Sequence, residues 1–227
     1  MEDGKVMNKL NIFYEDNHLI VVEKEPNILS QADSTNDIDM LTIVKNYIKE
    51  KYNKPGNVYL GLVHRLDRPV GGLMVFAKTS KAASRLSEQV RNHTFKKTYL
   101  AVIRGKLPNE EDTFVDYLKK LDNGNTIVAT KEDGKLSELS YKVLDYNDKD
   151  DITLVEIKLK TGRHHQIRVQ FSSRGYPLCG DQRYGCMDKT QIALYAYKIE
   201  LRHPVTKENL KFENLSIDNI YLSKFTL

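Results

Sequence analysis

Leu62-Val63-His64-Arg65-Leu66-Asp67-Arg68-Pro69-Val70-Gly71-Gly72-Leu73-Met74-Val75-Phe76-Ala77-Lys78 decides how the rest of this 227-residue chain is read. An apolar run, Tyr59 to Val63, reads as a strand. A charged knot, His64 to Arg68, follows it. Pro69, Gly71 and Gly72 then turn the chain into a second apolar run, Leu73 to Ala77. Pro and Gly punctuate strands at turns, so the knot is expected on a loop between two strands. Asp67 is the one acid in the knot, set between Arg65 and Arg68. Such an acid suits a nucleophile or charge stabiliser better than a general acid. The competing reading is a structural ion pair at a loop.

Working downstream, Thr79 or Ser80 caps a helix whose stripe is Ala82, Ala83, Leu86 and Val90 and which ends near Asn92. Phe95 to Gly105 reads as a strand, and alternation puts Lys97, Tyr99 and Ala101 on one face. Tyr99 is by this pattern either a core aromatic or a site residue. Residues 108–136 are polar and read as irregular, with short strand-like pieces and turn dipeptides Asn123-Gly124 and Asp133-Gly134. Leu139 to Leu144 and Ile152 to Leu159 read as a hairpin. Gly162 breaks the second of these strands. Ile167 and Phe171, at i and i+4, then mark a short helix carrying Arg168. A last strand, turn and strand run from Ile192 to Phe212. Upstream, Leu10 to Glu15 and Leu19 to Lys24 form a hairpin across Asp16-Asn17-His18. Leu41 to Lys51 is a helix with Asp39 as N-cap. These runs predict a polar tail over residues 1–9 and one domain over 10–227. The class is α+β with a largely antiparallel sheet.

Composition narrows the chemistry. The opening residues lack the pattern of a signal peptide, and no run reaches the roughly 18 apolar residues of a membrane span. Two cysteines, Cys179 and Cys186, suit a reducing cytoplasmic setting rather than a disulfide framework. The six histidines make no zinc spacing with them, and His164 and His165 are expected to diverge as adjacent side chains do. No Gly-rich phosphate cradle is present, so neither metal nor cofactor is expected. The net charge is only +4. Its distribution says more: Arg91 to Lys106 and Lys160 to Arg174 are basic and acid-free, as a phosphate-holding face would be. An ordinary solvated surface is the alternative.

Three motifs together carry a resemblance. The first is His64-Arg65-Leu66-Asp67-Arg68 with Gly72-Leu73 and Phe76-Ala77-Lys78. The second is Lys96-Lys97-Thr98-Tyr99-Leu100-Ala101. The third is Thr161-Gly162-Arg163 with His165-Gln166-Ile167-Arg168-Val169. Pro177 to Asp181, Arg183-Tyr184-Gly185 and His203-Pro204-Val205-Thr206 extend it. In this order the set resembles the RluA-type pseudouridine synthases, over about Leu10 to Leu215. Val70 and Gly71 stand where that family more often has Thr and Ser, and Lys24-Glu25-Pro26 replaces its Lys-Pro step. No S4-like RNA-binding module is expected ahead of the first strand.

The resemblance implies the pseudouridine synthase fold, a long mixed sheet with a central RNA-binding cleft. It implies a monomeric enzyme that isomerises uridine in ribosomal or transfer RNA: the base is detached at its ring nitrogen, turned, and rejoined through a ring carbon. Asp67 would be the nucleophile, Arg168 its ion-pair partner, and Tyr99 the residue contacting uracil. His64, Arg65, Arg68, Lys97, Arg163 and Gln166 form the candidate substrate-binding set. The target base is unreachable in a stack and must be flipped out, and Arg65 is placed to fill the gap or grip a flanking phosphate. Three alternatives weigh against this. A non-catalytic RNA-binding module would need the loss of Asp67, Tyr99 or Arg168. A glycosidase would need a second carboxylate about 5–9.5 Å away, and none lies in the motifs. A structural protein leaves the charge segregation without a use.

Overall fold

The computed structural model describes residues 10 to 226, so the expected tail lies outside the described residues. Eleven strands form one mixed sheet. They are β1 (Ile12–Glu15), β2 (Leu19–Lys24), β3 (Gly61–Leu62), β4 (Gly71–Ala77), β5 (Lys96–Arg104), β6 (Glu111–Lys120), β7 (Thr126–Ala129), β8 (Lys135–Asn147), β9 (Ile152–Leu159), β10 (Leu194–Arg202) and β11 (Asn209–Glu213). The helices are α1 (Met40–Lys51), α2 (Ser80–Arg91) and α3 (Gln166–Ser172). The main path runs β1-β2-β4-β10-β5-β9-β8-β6-β7. Every pairing is antiparallel except β4 with β10.

Strand β4 is buried along its whole length. Met74 and Phe76 face a core that includes Val44 and Ile48 of α1. Leu73, Val75 and Ala77 face Ala82 and Leu86 of α2. A strand covered on both faces needs apolar residues at every position, which is why Leu73 to Ala77 shows no alternation. Both covering helices begin where the sequence placed their caps. The Asp39 carboxylate accepts from the Thr42 N–H, and the Thr79 hydroxyl from the Ala82 N–H.

The two halves of the sheet meet on β10. Gly71 and Gly72 pair with Tyr195 and Ala196 on one side, and β5 pairs on the other. Gly72 has φ +132, and a Cβ there would lie 2.5 Å from the Ala196 carbonyl oxygen. The close approach of backbones at this seam therefore requires glycine.

Two stretches differ from the sequence expectation. The run Tyr59 to Val63 yields only the two-residue β3. Residues 108–136 are not irregular: they contain β6 and β7. Of the ten residues of β6 only Phe114 and Leu118 are buried, so the apolar period that reveals a strand is nearly absent there.

Candidate active site

The knot hangs between β3 and β4 and is pinned along its length. Lys24, at the end of β2, is fully buried and its Nζ donates to the carbonyls of Arg68 at 2.9 Å and Glu25 at 3.1 Å. The Ser30 hydroxyl donates to the Leu66 carbonyl at 2.7 Å and accepts from the Leu66 N–H at 3.1 Å. The Val70 N–H closes a turn on the Asp67 carbonyl at 3.0 Å. These contacts leave the Asp67 side chain 28% exposed and facing α3.

Two nitrogens approach the same carboxylate oxygen. Arg168 Nη1 lies 3.6 Å, and His165 Nε2 3.7 Å, from Asp67 Oδ2. Arg168 spends its hydrogen bonds elsewhere. Its Nε and Nη2 donate to the two oxygens of Asp181 at 2.8 and 2.7 Å, with Asp181 wholly buried. Burial works against the guanidinium charge, but the fork onto Asp181 outweighs it and raises the Arg168 pKa. The N–H groups of Arg183 and Tyr184 also point at Asp181, at 3.2 and 3.3 Å. Below Asp67 the buried Tyr99 phenol is held firmly protonated, by burial first and by the Asp67 charge second. Asp67, Tyr99, His165 and Arg168 line a recess of about 80 Å³. The recess shares Arg65, Asp67, Lys97 and Arg163 with a cleft of about 800 Å³.

Comparison with known proteins gives the family. Residues 18–173 match the RNA pseudouridylate synthase family. The chain belongs to that family. It is 35% identical over 203 residues to the uncharacterized RNA pseudouridine synthase YhcT of Bacillus subtilis, covering 88% of this chain and 66% of the relative. It is 32% identical over 232 residues to ribosomal large subunit pseudouridine synthase C of Haemophilus influenzae, covering 95% of this chain and 69% of the relative. The chain thus spans about two thirds of the length of these curated relatives. Among solved structures, human RNA pseudouridylate synthase domain containing 4 shares the fold, with a TM-score of 0.75 at 20% identity over 90% of this chain and 87% of that one.

In this member of the pseudouridylate synthase family the sequence-derived set divides. Asp67, Tyr99 and Arg168 converge, though Arg168 is hydrogen-bonded to Asp181 and meets Asp67 only as a longer ion pair. Arg65, Lys97 and Arg163 line the cleft, which His64 and Arg68 also border, and Gln166 borders the recess. Lys97 has no ion pair among the described residues, and burial lowers its pKa. Of the other three candidates, His64 and Gln166 are buried and Arg68 is exposed. His64 is buried, its Nε2 accepting from the Val75 N–H at 3.1 Å, so it anchors the knot to β4. Gln166 is buried and caps the turn before α3. Its Oε1 accepts from Thr161 Oγ1 and the Arg163 N–H, and its Nε2 donates to the Glu138 carbonyl. Arg68 pairs with Asp37 at 2.7 Å on the surface.

The acid-free segments also divide, because acids distant in sequence come to them in space. Arg104 pairs with Asp188, Lys160 with Glu138 and Arg174 with Asp116. The two adjacent histidines do not diverge. His165 adopts φ 53, and its ring stacks on His164 with centroids 3.7 Å apart. No cluster able to hold a metal occurs among the described residues.

Sequence reasoning singled out neither Asp181, His165 and Tyr184 nor Lys24 for the site. The adjacent Asp181 and Arg183-Tyr184 matches were a usable signal; a buried lysine at the end of an apolar strand was not. Burial lowers the Lys24 pKa to about 7, partly offset by Asp67. Below pH 7 both folded and unfolded chains hold this proton, and the fold carries the full cost of the buried charge. As pH rises from 7 towards 10.5 the folded state sheds the proton first, so stability climbs by at most about 1.4 kcal/mol per pH unit. Urea melts of wild type and Lys24→Met across this window are expected to show that climb in the wild type only. A parallel climb in Lys24→Met rules out Lys24 as its source.

Proposed function

We propose that this protein is a cytoplasmic RNA pseudouridine synthase acting as a single catalytic domain and a monomer, with ribosomal RNA as its substrate. The observation that carries the reading is one partly exposed carboxylate, Asp67, held between Arg168 and His165 above a buried tyrosine at the end of a basic cleft. Ribosomal RNA is favoured because relatives such as the Haemophilus influenzae protein are named for it.

The flipped uridine enters the recess, and Asp67 reacts with it while Arg168 holds the carboxylate anionic and oriented. The bond from sugar to ring nitrogen breaks, the base turns, and a bond from sugar to ring carbon forms. The carbon loses its proton and the nitrogen gains one, so nothing is oxidised or hydrolysed. Tyr99 contributes a hydroxyl and an aromatic face to the base, since its phenolate is disfavoured. The exposed Arg65 reaches the gap left in the stack. A glycosidase needs a second acid, but among the described residues none lines the recess beside Asp67, and both oxygens of the neighbouring Asp181 are taken by Arg168 and backbone N–H groups.

Mapping pseudouridines in cellular RNA with and without the gene tests the reading. Loss of modification at defined ribosomal positions, restored by the purified protein, is expected; unchanged maps refute it. Binding adds a second measurement. Affinity for single-stranded RNA falls with salt by about 0.7 in log–log slope for each phosphate neutralised. Arg65→Ala and Arg91→Ala, which remove cations lining the cleft, are each expected to reduce the slope by roughly that amount. Arg174→Ala, whose guanidinium belongs to Asp116, is expected to leave it unchanged. Equal effects at all three positions are the contrary outcome.

A further inference from the structure

Arg168 presents donors to Asp67 in every state. His165 does so only if its proton sits on Nε2, because a neutral imidazole carries one donor and one acceptor. The contacts on the far side of the ring decide which. The Thr126 N–H donates to the Tyr184 hydroxyl oxygen at 2.9 Å. That hydroxyl lies 2.7 Å from His165 Nδ1; the Thr126 hydroxyl also interacts with it, but lies 2.9 Å from His164 Nδ1, so a donor chain from His164 through Thr126 and Tyr184 ends on His165. The Tyr184 proton therefore goes to Nδ1, and the ring's own proton is left on Nε2, 3.7 Å from Asp67 Oδ2. The opposite tautomer would set a nitrogen lone pair against a carboxylate oxygen and deprive the Tyr184 hydroxyl of its acceptor.

The ring has little freedom to do otherwise. His165 is 9% exposed, starts α3 from the left-handed region, stacks on His164 and meets the Tyr184 ring edge-on at 5.5 Å. Burial and then Arg168 depress its pKa to about 3, with His164, Arg183 and Lys120 acting in the same direction, so the ring is neutral at physiological pH. Tyr184 is fixed by the loop that supplies Asp181, its N–H pointing at Asp181 and its ring lying 5.1 Å from the Arg168 guanidinium. One loop thus serves both neighbours of Asp67.

We infer that Tyr184 sets the tautomer of His165, so that a neutral imidazole presents Nε2–H to Oδ2 of Asp67. With Arg168 on the same oxygen, Oδ1 is left as the reacting atom. His165 is a positioning residue, because it acts through Asp67. At 3.7 Å the contact is longer than a hydrogen bond, and it tightens when RNA fills the cleft. The catalytic part rests on the proposed function; the tautomer does not.

The test has two arms. In the first, nitrogen NMR of the histidine-labelled free protein reads the tautomer directly, without substrate. His165 is expected to be neutral and protonated at Nε2, with the signal moving towards mixed tautomers in Tyr184→Phe. An Nδ1-protonated ring, an imidazolium at neutral pH, or no change in Tyr184→Phe overturns the inference. In the second arm, single-turnover rates and RNA affinities are compared for His165→Leu, His165→Gln and Tyr184→Phe, with melts to confirm folding. Groups that orient a reacting centre from behind typically contribute about 10–100-fold. His165→Leu is expected to lose roughly that factor in rate with affinity intact. Tyr184→Phe should lose about tenfold, nearer the lower end of that range. Gln places an amide N–H near the Nε2 position and is expected to recover most of the rate. Both replacements carry the same backbone strain, so Leu matching Gln, or a loss confined to affinity, overturns the positioning role. A wild-type protein that forms no pseudouridine refutes the proposed function instead, and the NMR arm still decides the tautomer.

Discussion

Replacing Asp67 with Asn is expected to abolish isomerisation while leaving the fold and RNA binding in place. Among the described residues the carboxylate is the one acid lining the recess, and Asp181 cannot substitute for it because Arg168 and two backbone N–H groups occupy its oxygens. Removing one member of a catalytic set elsewhere costs about 10⁴–10⁶ in rate, with nucleophiles at the upper end, so single-turnover formation of pseudouridine should fall to background. Stability should change little. Asn has nearly the same shape, and Arg168 keeps its bidentate partner. The variant carries a second signature. The Asp67 charge partly offsets the burial that lowers the Lys24 pKa, so its removal should move the Lys24 titration below about 7. Measurable pseudouridine formation by pure Asp67→Asn protein is the result that removes Asp67 as nucleophile.

Replacing Asp181 is expected to have the largest effect on stability. Arg168 and Asp181 are 6% and 0% exposed, and breaking one side of a buried pair typically costs about 3–5 kcal/mol because the other charge is left uncompensated. For a chain of this size each kcal/mol is worth roughly 2–4 °C, so Asp181→Asn should lower Tm by roughly 6–20 °C. Its rate should also fall, since the freed guanidinium can swing onto Asp67 and the Tyr184 loop loses its anchor. Arg174→Met provides the contrast. Sequence reasoning left Arg174 to touch a phosphate, but it forks onto Asp116 at 2.9 and 3.1 Å and lies 4.0 Å from the Phe114 ring centroid. That pair is 30% and 13% exposed, so its loss should cost about 1 kcal/mol, near the value for screened ion pairs, with rate and affinity spared. Scanning calorimetry of both variants, alongside single-turnover rates, checks the ranking. Equal melting shifts would mean that the Arg168–Asp181 pair is no more than an ordinary ion pair.

The sequence by itself determined what depends on neighbours along the chain. The caps Asp39 and Thr79, the stripe of α2, the β1–β2 hairpin and the unbroken apolar run of β4 are local patterns, and each became the element expected. Asp67 was legible because it is the one acid in a knot bounded by strand and turn signals, and Tyr99 and Arg168 because their motifs recur in order. Strands β6 and β7 were not legible, since a strand with two buried side chains in ten has no period to read.

Tertiary structure alone decided the partners. Lys24 reaches the Arg68 carbonyl across 44 positions, and Thr126 comes to Tyr184 across 58. Arg168 finds Asp181 only 13 residues on, yet through a loop whose path no periodicity predicts. The same holds for the inward turn of His64 and Gln166 and for the pairing of Arg68 with Asp37, because polar side chains in a motif do not declare which way they face. Stacking of His164 on His165 arises from one left-handed backbone residue. Element type follows from local propensity and burial period, whereas a side chain's partner, protonation and tautomer follow from which elements the folded backbone brings within about 4 Å.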